Sequence, residues 1–187
     1  MYIYRLFILI SCVVTSLGLF NTAIITPAFS QAGASEKQDY ATVIMYHRFG
    51  ESRYPTTNVS IEQFESHLEF IAQGDYKVAP LIDIIETLQS GGVVKDKTVA
   101  ITVDDAYLSV YTQAWPRLKE YGFPFTIFVA TDPVDNNLKN YMSWDQIREL
   151  LENGVTIGSQ TKSHPHMHRL SPIKVEQELT LSNNRFL

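Results

Sequence analysis

The sequence predicts an α/β fold with a parallel sheet, either open or curled into a barrel. Short β-branched runs alternate with helical patterns from residue 41 to the end of the 187-residue chain. Glycines, prolines and capping serines separate most of these segments, as expected at the ends of helices and strands. About five parallel strands are expected, at residues 41–46, 76–79, 98–103, 124–130 and 155–158.

Helix start and stop signals lie between these strands. Ser60 with Gln63 fits a capping box, and Gly74 fits the end of the helix that Ser60 begins. Pro80 and Pro172 each fit the first position of a helix. The predicted helices cover residues 60–73, 80–89, 109–121, 143–153 and 172 to the end.

The first thirty residues differ in composition from the rest. Arg5 is their only charged residue, residues 6–20 form an apolar run, and Ala28 and Ser30 fit a cleavage site with small residues. This pattern predicts a signal peptide at residues 1–30, export to the periplasm or beyond the cell, and a flexible lead-in at residues 31–40. An uncleaved membrane anchor is the alternative, and we expect membrane contact only through this segment.

Charge and cysteine content exclude two classes of site. The formal net charge is −5 and no basic run is present, which argues against a nucleic-acid partner. Cys12 is the single cysteine and lies in the predicted leader. Residues 31–187 therefore cannot form an internal disulfide or a thiolate metal site.

Two adjacent carboxylates, Asp104 and Asp105, follow the apolar strand at residues 98–103. The carboxyl ends of parallel strands are where α/β folds place ligands and catalytic groups. Adjacent like charges are unfavourable unless a cation or a proton separates their roles. The pair predicts one carboxylate that binds a metal and one that accepts a proton; solvated turn residues are the alternative.

Three histidines, His164, His166 and His168, follow the strand at residues 155–158. Imidazole and carboxylate are common ligands of zinc and similar metals. Since both segments follow strand ends at one edge of the sheet, we expect them to share a pocket. Plain polar loop residues are the alternative.

His47 and Tyr107 are expected in the same pocket by position. His47 follows the first strand, and Tyr107 comes just after the aspartates. Both are predicted to line a substrate pocket. A capping or buried polar role is the alternative for His47.

At these residues the chain resembles the polysaccharide deacetylase (NodB homology) family, which includes chitin-oligosaccharide, peptidoglycan and poly-N-acetylglucosamine deacetylases. Residues 102–105 (TVDD) match the family's T-F-D-D motif, and residues 160–164 (QTKSH) match its H-[ST]-x-x-H motif. Residues 45–47 (MYH) are similar to the opening of the biofilm-polysaccharide branch. The resemblance covers residues 41–187 and implies a distorted, incomplete (β/α) barrel.

The resemblance also implies roles for the matched residues. Asp104 would be the general base, and Asp105 and His164 would bind a divalent metal, zinc first, with cobalt or nickel as alternatives. The implied enzyme is a carbohydrate N-deacetylase, which hydrolyses the acetamide bonds of a polysaccharide of N-acetylated amino sugars. That glycan would be its partner.

Two departures from the family pattern bear on activity. Gln160 stands where the family has its first histidine ligand, and an amide oxygen is a weaker ligand for zinc-like metals. His166 or His168 would then compensate, or the metal would rely on Asp105, His164 and water. The family's later motifs, including a leucine-x-histidine that carries the general acid, have no match in the sequence. We therefore expect a truncated domain that is neither well folded nor active as written.

Two other functions fit these residues. An inactive truncated remnant or glycan-binding domain is favoured by Gln160 and by the unmatched later motifs. A barrel glycosidase is disfavoured, because glycosidase carboxylates flank the sugar at roughly 5–9.5 Å and usually come from different strands. Asp104 and Asp105 are instead neighbours in the chain.

Overall fold

The computed structural model describes residues 40–187. The predicted leader and nearly all of the predicted lead-in lie outside the described residues. Within residues 40–187, no helix is both long and apolar enough to cross a bilayer.

A parallel sheet organises the described part of the chain, as predicted. The strands are β1 (Thr42–Tyr46), β2 (Arg48–Phe49), β3 (Asn58–Val59), β4 (Lys77–Val78), β5 (Thr98–Asp104), β6 (Thr126–Val129) and β7 (Thr156–Ser159). The main sheet has the order β1–β5–β6–β7, and β4 pairs with the first residues of β5. These strands form an open sheet within residues 40–187, and β2 and β3 form a separate parallel pair.

Helices connect the strands where the capping signals predict them. They are α1 (Ile61–Gln73), α2 (Leu81–Gln89), α3 (Trp115–Tyr121), α4 (Thr131–Asp135), α5 (Trp144–Glu152) and α6 (Pro172–Asn183). Complete capping boxes begin α1, at Ser60 and Gln63, and α5, at Ser143 and Gln146. The short helix α4 and a 3₁₀ turn at Met167–Arg169 were not predicted.

The helix expected at residues 109–121 is not a continuous α-helix. Residues Val110–Ala114 form a π-helical turn before α3, and the Trp115 N–H bonds to the Val110 carbonyl. Pro116 follows directly and has no N–H to continue the α-helical pattern with Thr112. A π-helical turn accommodates this change in hydrogen-bond register.

Strand β5 is buried on both faces, which explains its continuous apolar sequence. Val99, Ile101 and Val103 belong to the main core. Ala100, on the opposite face, packs with Ile84 and Val94 in a smaller cluster. Because β5 lies between β1 and β6, the core determines the position of its last residue at the carboxyl edge of the sheet.

Candidate active site

The aspartate turn (residues 104–107) begins where β5 ends. Asp105 and Ala106 have φ angles of 73° and 53°, a left-handed conformation that is uncommon for residues other than glycine. The Asp105 N–H donates to the Phe128 carbonyl at 3.0 Å and to Gln160 Oε1 at 2.9 Å. The turn is thus bonded both to the neighbouring strand β6 and to the segment that follows β7.

The histidine loop (residues 160–164) follows β7 and turns back towards the aspartates. Thr161 and His164 have φ angles of 68° and 54°. The His164 N–H donates to Thr161 Oγ1 at 3.1 Å, which closes the turn. His164 Nε2 then lies 3.8 Å from Asp105 Oδ1. The two candidate ligands predicted from the sequence are therefore brought together.

Gln160 lies between these two residues. Its Oε1 accepts the Asp105 N–H, so its Nε2 must be the atom that lies 3.1 Å from His164 Nε2. An amide nitrogen donates and does not accept. This network favours the His164 tautomer with its proton on Nδ1 and its Nε2 lone pair directed at Gln160.

The environment of Asp104 disfavours the ionised form of its carboxyl group. Partial burial raises the pKa of Asp104; nearby His47 opposes this rise, the charge of Asp105 adds to it, and His164 opposes it. A carboxylate whose pKa is raised towards neutrality is suited to accept a proton. The charge of His47 therefore acts on Asp104, while its place in the substrate pocket stays a prediction.

Tyr107 lies in the site, beside Asp105, with only 9% of its surface exposed. Burial, followed by interactions with Tyr141 and Asp105, raises the pKa of the Tyr107 hydroxyl. The Arg48 guanidinium lies 3.3 Å from the centre of the Tyr107 ring, and the Tyr141 ring centre is 4.8 Å away. These contacts fix the ring next to a candidate ligand, while the role predicted for it in substrate binding stays a prediction.

A partly buried ion pair supports this side of the site. Arg48 bonds to Glu51 at 2.9 Å, and Glu51 accepts the Ser109 hydroxyl at 2.6 Å. Ser109 also accepts the Phe49 N–H at 3.2 Å. This network links β2 to the residues that follow the aspartate turn, and the sequence analysis did not identify it.

His166 and His168 are exposed, and their ring centres are 5.8 Å apart. Arg169 Nε donates to His168 Nε2 at 3.3 Å. Within residues 40–187, no three His, Cys, Asp or Glu side chains are grouped to hold a metal ion. A metal role for His166 or His168 stays a prediction.

Asp105 and His164 still fit a divalent metal as a pair. Two ligands that each lie about 2.0–2.2 Å from one ion are roughly 3–4 Å apart, and the observed separation is 3.8 Å. One carboxylate oxygen and one imidazole nitrogen suit zinc, cobalt or nickel. An ion there would have to displace the Gln160 amide from His164 Nε2, and water would fill the other coordination positions; Gln160 Oε1 could join them only by giving up the Asp105 N–H.

The sequence patterns did not identify residues that lie far from the two loops in the chain but contact them in the folded structure. Arg48, Tyr141 and Glu178 all contact the aspartate turn or the histidine loop, or their direct neighbours. None belongs to a local motif. The spacing of Glu178 and Ser182, four residues apart on α6, was the one local signal of a shared polar face.

Two curated proteins have sequences similar to this chain. YxkH of Bacillus subtilis (strain 168), which is named as a polysaccharide deacetylase, is 27% identical over 152 residues, or 81% of this chain and 53% of YxkH. The poly-beta-1,6-N-acetyl-D-glucosamine N-deacetylase of Staphylococcus aureus (strain MRSA252) is 28% identical over 72% of this chain and 51% of its own length. The chain thus spans about half the length of these curated relatives.

A solved structure has the same fold. The deacetylase PplD of Streptococcus pyogenes, in complex with acetate, superposes with a TM-score of 0.70 at 21% identity, over 77% of this chain and 66% of PplD. The sequence profile of the polysaccharide deacetylases matches residues 91–186, just over half of the chain, and includes both the aspartate turn and the histidine loop. The chain that brings Asp105 and His164 together therefore belongs to the polysaccharide deacetylase family.

Proposed function

We propose that this chain is the catalytic part of a metal-dependent hydrolase that removes N-acetyl groups from a polysaccharide of N-acetylated amino sugars. The observation that carries the proposal is the 3.8 Å approach of His164 Nε2 to Asp105 Oδ1, directly beside Asp104. The name of the Staphylococcus aureus relative supports a polymer of N-acetylglucosamine as the substrate class.

Each site residue has one part in the proposed reaction. Asp105 and His164 would hold a divalent ion, with zinc as the first choice and cobalt or nickel as alternatives. A bound ion of this kind polarises the acetyl carbonyl and acidifies water. Asp104 accepts the proton of the attacking water, and its raised pKa is consistent with that role.

The products are acetate and a free amine on the sugar. The amide C–N bond breaks, and the leaving nitrogen must gain a proton. The family resemblance assigns this second proton transfer to a histidine of a later motif, which no part of residues 40–187 matches. In this chain we propose that protonated Asp104 returns the proton taken from water to the leaving nitrogen, which balances the reaction at a lower rate than a separate acid would give. His47 lies near Asp104 and is proposed to line the substrate pocket.

Export is proposed from the composition of the first thirty residues. The apolar run and the small residues at positions 28 and 30 support a cleaved signal, with the periplasm or the extracellular space as the destination. N-terminal sequencing of the protein recovered from cells tests this. A mature chain that begins near residue 31 supports cleavage, and an intact N-terminus in the membrane fraction supports the anchor.

One observation favours a second candidate, a glycan-binding domain without turnover. The Gln160 amide already occupies the Nε2 lone pair of His164, which a metal would need. In this case the chain would bind an N-acetylated glycan and release no acetate.

A single experiment separates the two candidates. The full 187-residue chain is incubated with an N-acetylglucosamine oligomer and added zinc, cobalt or nickel, and released acetate is measured with and without a chelator. Metal-dependent release that is lost in Asp104→Asn supports the deacetylase. Oligomer binding without release, with every metal, supports the binding domain and contradicts our proposal.

A further inference from the structure

We propose that α6 positions the histidine loop, and that Glu178 is the residue through which it does so. The inference rests on the proposed function, because it concerns the placement of His164 as a ligand. Glu178 is thus assigned as a positioning residue, which acts on His164 through Ser163. Ser182 contributes a second contact from the same face of α6.

Glu178 uses both carboxylate oxygens on one residue of the loop. Its Oε2 accepts the Ser163 N–H at 2.7 Å, and its Oε1 accepts the Ser163 hydroxyl at 2.8 Å. Hydrogen bonds to an ionised carboxylate are shorter and stronger than those between neutral groups. This paired contact is made to the residue directly before His164.

Ser182 anchors the beginning of the same segment. Its buried hydroxyl lies 2.7 Å from the hydroxyl of Ser159, the last residue of β7. Ser159 Oγ also accepts the Thr161 N–H at 3.3 Å. Because Glu178 and Ser182 are four residues apart, they lie on one face of α6 and contact both ends of residues 159–163.

Helix α4 supports the loop from another element. The Thr131 and Asp132 N–H groups donate to the carbonyls of Thr161 and Lys162 at 3.3 and 2.8 Å. Lys162 Nζ in turn lies 2.6 Å from Asp132 Oδ1. These contacts stabilise the middle of the loop, whereas Ser163 is bonded to α6.

The loop needs such support because its backbone is strained. Thr161 is β-branched and has a φ angle of 68°, and His164 has a φ angle of 54°. A β-branched residue such as Thr161 rarely adopts this conformation unless the surrounding structure imposes it, and the conformation is uncommon, though less so, for histidine. Without the Glu178 contact, Ser163 and His164 are free to relax, and His164 Nε2 moves away from Asp105.

The contact could also serve only to attach α6 to the domain. A purely structural contact would change the unfolding midpoint and leave the metal affinity of the folded protein unchanged. A positioning contact changes the metal affinity and the local stability of the loop together. The two roles are therefore separable by measurement.

The test compares three variants of the full 187-residue chain. Glu178→Ala removes both bonds, and Glu178→Gln keeps an acceptor for the Ser163 N–H without the charge. Glu176→Ala is the matched control, because Glu176 is an exposed residue of the same helix. Hydrogen–deuterium exchange follows the amides of residues 161–164, and calorimetry measures zinc affinity.

We expect Glu178→Ala to speed loop exchange at least about tenfold and to weaken zinc binding about 10–100-fold, the usual effect of losing a residue that orients a ligand. Glu178→Gln should lie between this variant and the wild type, and Glu176→Ala should match the wild type. Exchange in Glu178→Ala equal to that in Glu176→Ala would overturn the proposal. Faster exchange with unchanged zinc affinity would also overturn it, because the Glu178 contact would then attach α6 to the domain without positioning His164.

Failure of the proposed function gives a different result. A wild-type chain that binds no zinc and releases no acetate rejects the metal-dependent hydrolase. The amide exchange rates of residues 161–164 in Glu178→Ala and the wild type then show separately whether Glu178 holds the loop in place. Unchanged loop exchange in Glu178→Ala rejects the positioning role whatever the wild-type chain binds.

Discussion

The aspartate turn and the histidine loop have similar backbones but are stabilised by different means. Each contains two residues other than glycine at positive φ: Asp105 and Ala106 in one, Thr161 and His164 in the other. Ala106 is fully buried in the main core. In contrast, the side chain of His164 is 57% exposed.

This difference predicts which kind of substitution should disrupt each half of the site. Packing around the buried Ala106 adds to the backbone hydrogen bonds of the aspartate turn, so changes in side-chain volume should disrupt it. Hydrogen bonds from α4 and α6 fix the histidine loop, so loss of a partner or of a charge should disrupt it. The predictions below test this contrast, from the largest expected effect to the smallest.

Asp104→Asn should lower kcat/KM for acetate release by about 10²–10⁴-fold, because the general base is lost. Burial disfavours the charged form of Asp104, so the variant should unfold at a urea concentration no lower than that of the wild type. Equal kcat/KM values in Asp104→Asn and the wild type would remove Asp104 from the reaction.

A pH titration gives an independent measure of the same residue. The pKa of Asp104 is raised, so the base is lost as the pH falls through a value above the ordinary aspartate pKa of about 3.9. In the metal-free protein, the Asp104 carboxyl should therefore titrate, as followed by carbon NMR, with its midpoint above about pH 4. A midpoint below that value would contradict the burial effect.

Ala106→Val should reduce the free energy of unfolding by roughly 2–4 kcal/mol. The added methyl groups have no room in the core, and a β-branched residue is strained at a φ angle of 53°. The matched variant Ala106→Gly should stay within about 1 kcal/mol of the wild type, because glycine adopts this conformation freely. Urea unfolding measures both, and equal effects of valine and glycine would show that packing does not fix this turn.

Gln160→His should strengthen zinc binding by at least about tenfold, because it adds an imidazole and removes the amide bonded to His164. Gln177→His, which adds a histidine at an exposed position of α6, is the control. Calorimetry measures both. Unchanged affinity in Gln160→His would mean that position 160 does not reach the metal.

Asp135→Asn should weaken the contact between α4 and Arg185, two residues beyond the end of α6, by about 1 kcal/mol. Asp135 accepts three hydrogen bonds from the Arg185 guanidinium and one from the Trp144 ring N–H at 2.7 Å. Asp145→Asn, at an exposed ion pair with Arg148, is the control and should change stability by less than about 0.5 kcal/mol.

The Asp135 effect should also depend on pH. Partial burial alone would raise the pKa of Asp135, but the bonds from Arg185 and Trp144 hold it below its ordinary value. A lowered carboxyl pKa stabilises the folded protein above the unfolded-state value of about 3.9, and this stabilisation is lost as the pH falls through the folded-state value. The difference between Asp135→Asn and the wild type should therefore disappear in acid, and a constant difference from pH 7 to pH 2 would contradict it.

Local sequence patterns determined much of the fold and the general location of the site. The five strands of the main sheet were predicted, because buried strands and capped helices carry their signal in neighbouring residues. Ser60 with Gln63 forms the capping box that the spacing predicts. Asp104, Asp105 and His164 were expected at one sheet edge, because the carboxyl ends of parallel strands meet there.

Tertiary structure alone decided how these residues contact one another. The Gln160 amide lies between Asp105 and His164, Arg48 packs on Tyr107, and Glu178 bonds to Ser163. Each contact joins residues that are distant in the chain, apart from the one within the histidine loop. Periodicity and capping describe only neighbours along the chain. The pairing of distant side chains depends instead on strand register, helix orientation and the strained turns at Asp105 and Thr161, which only the packed structure imposes.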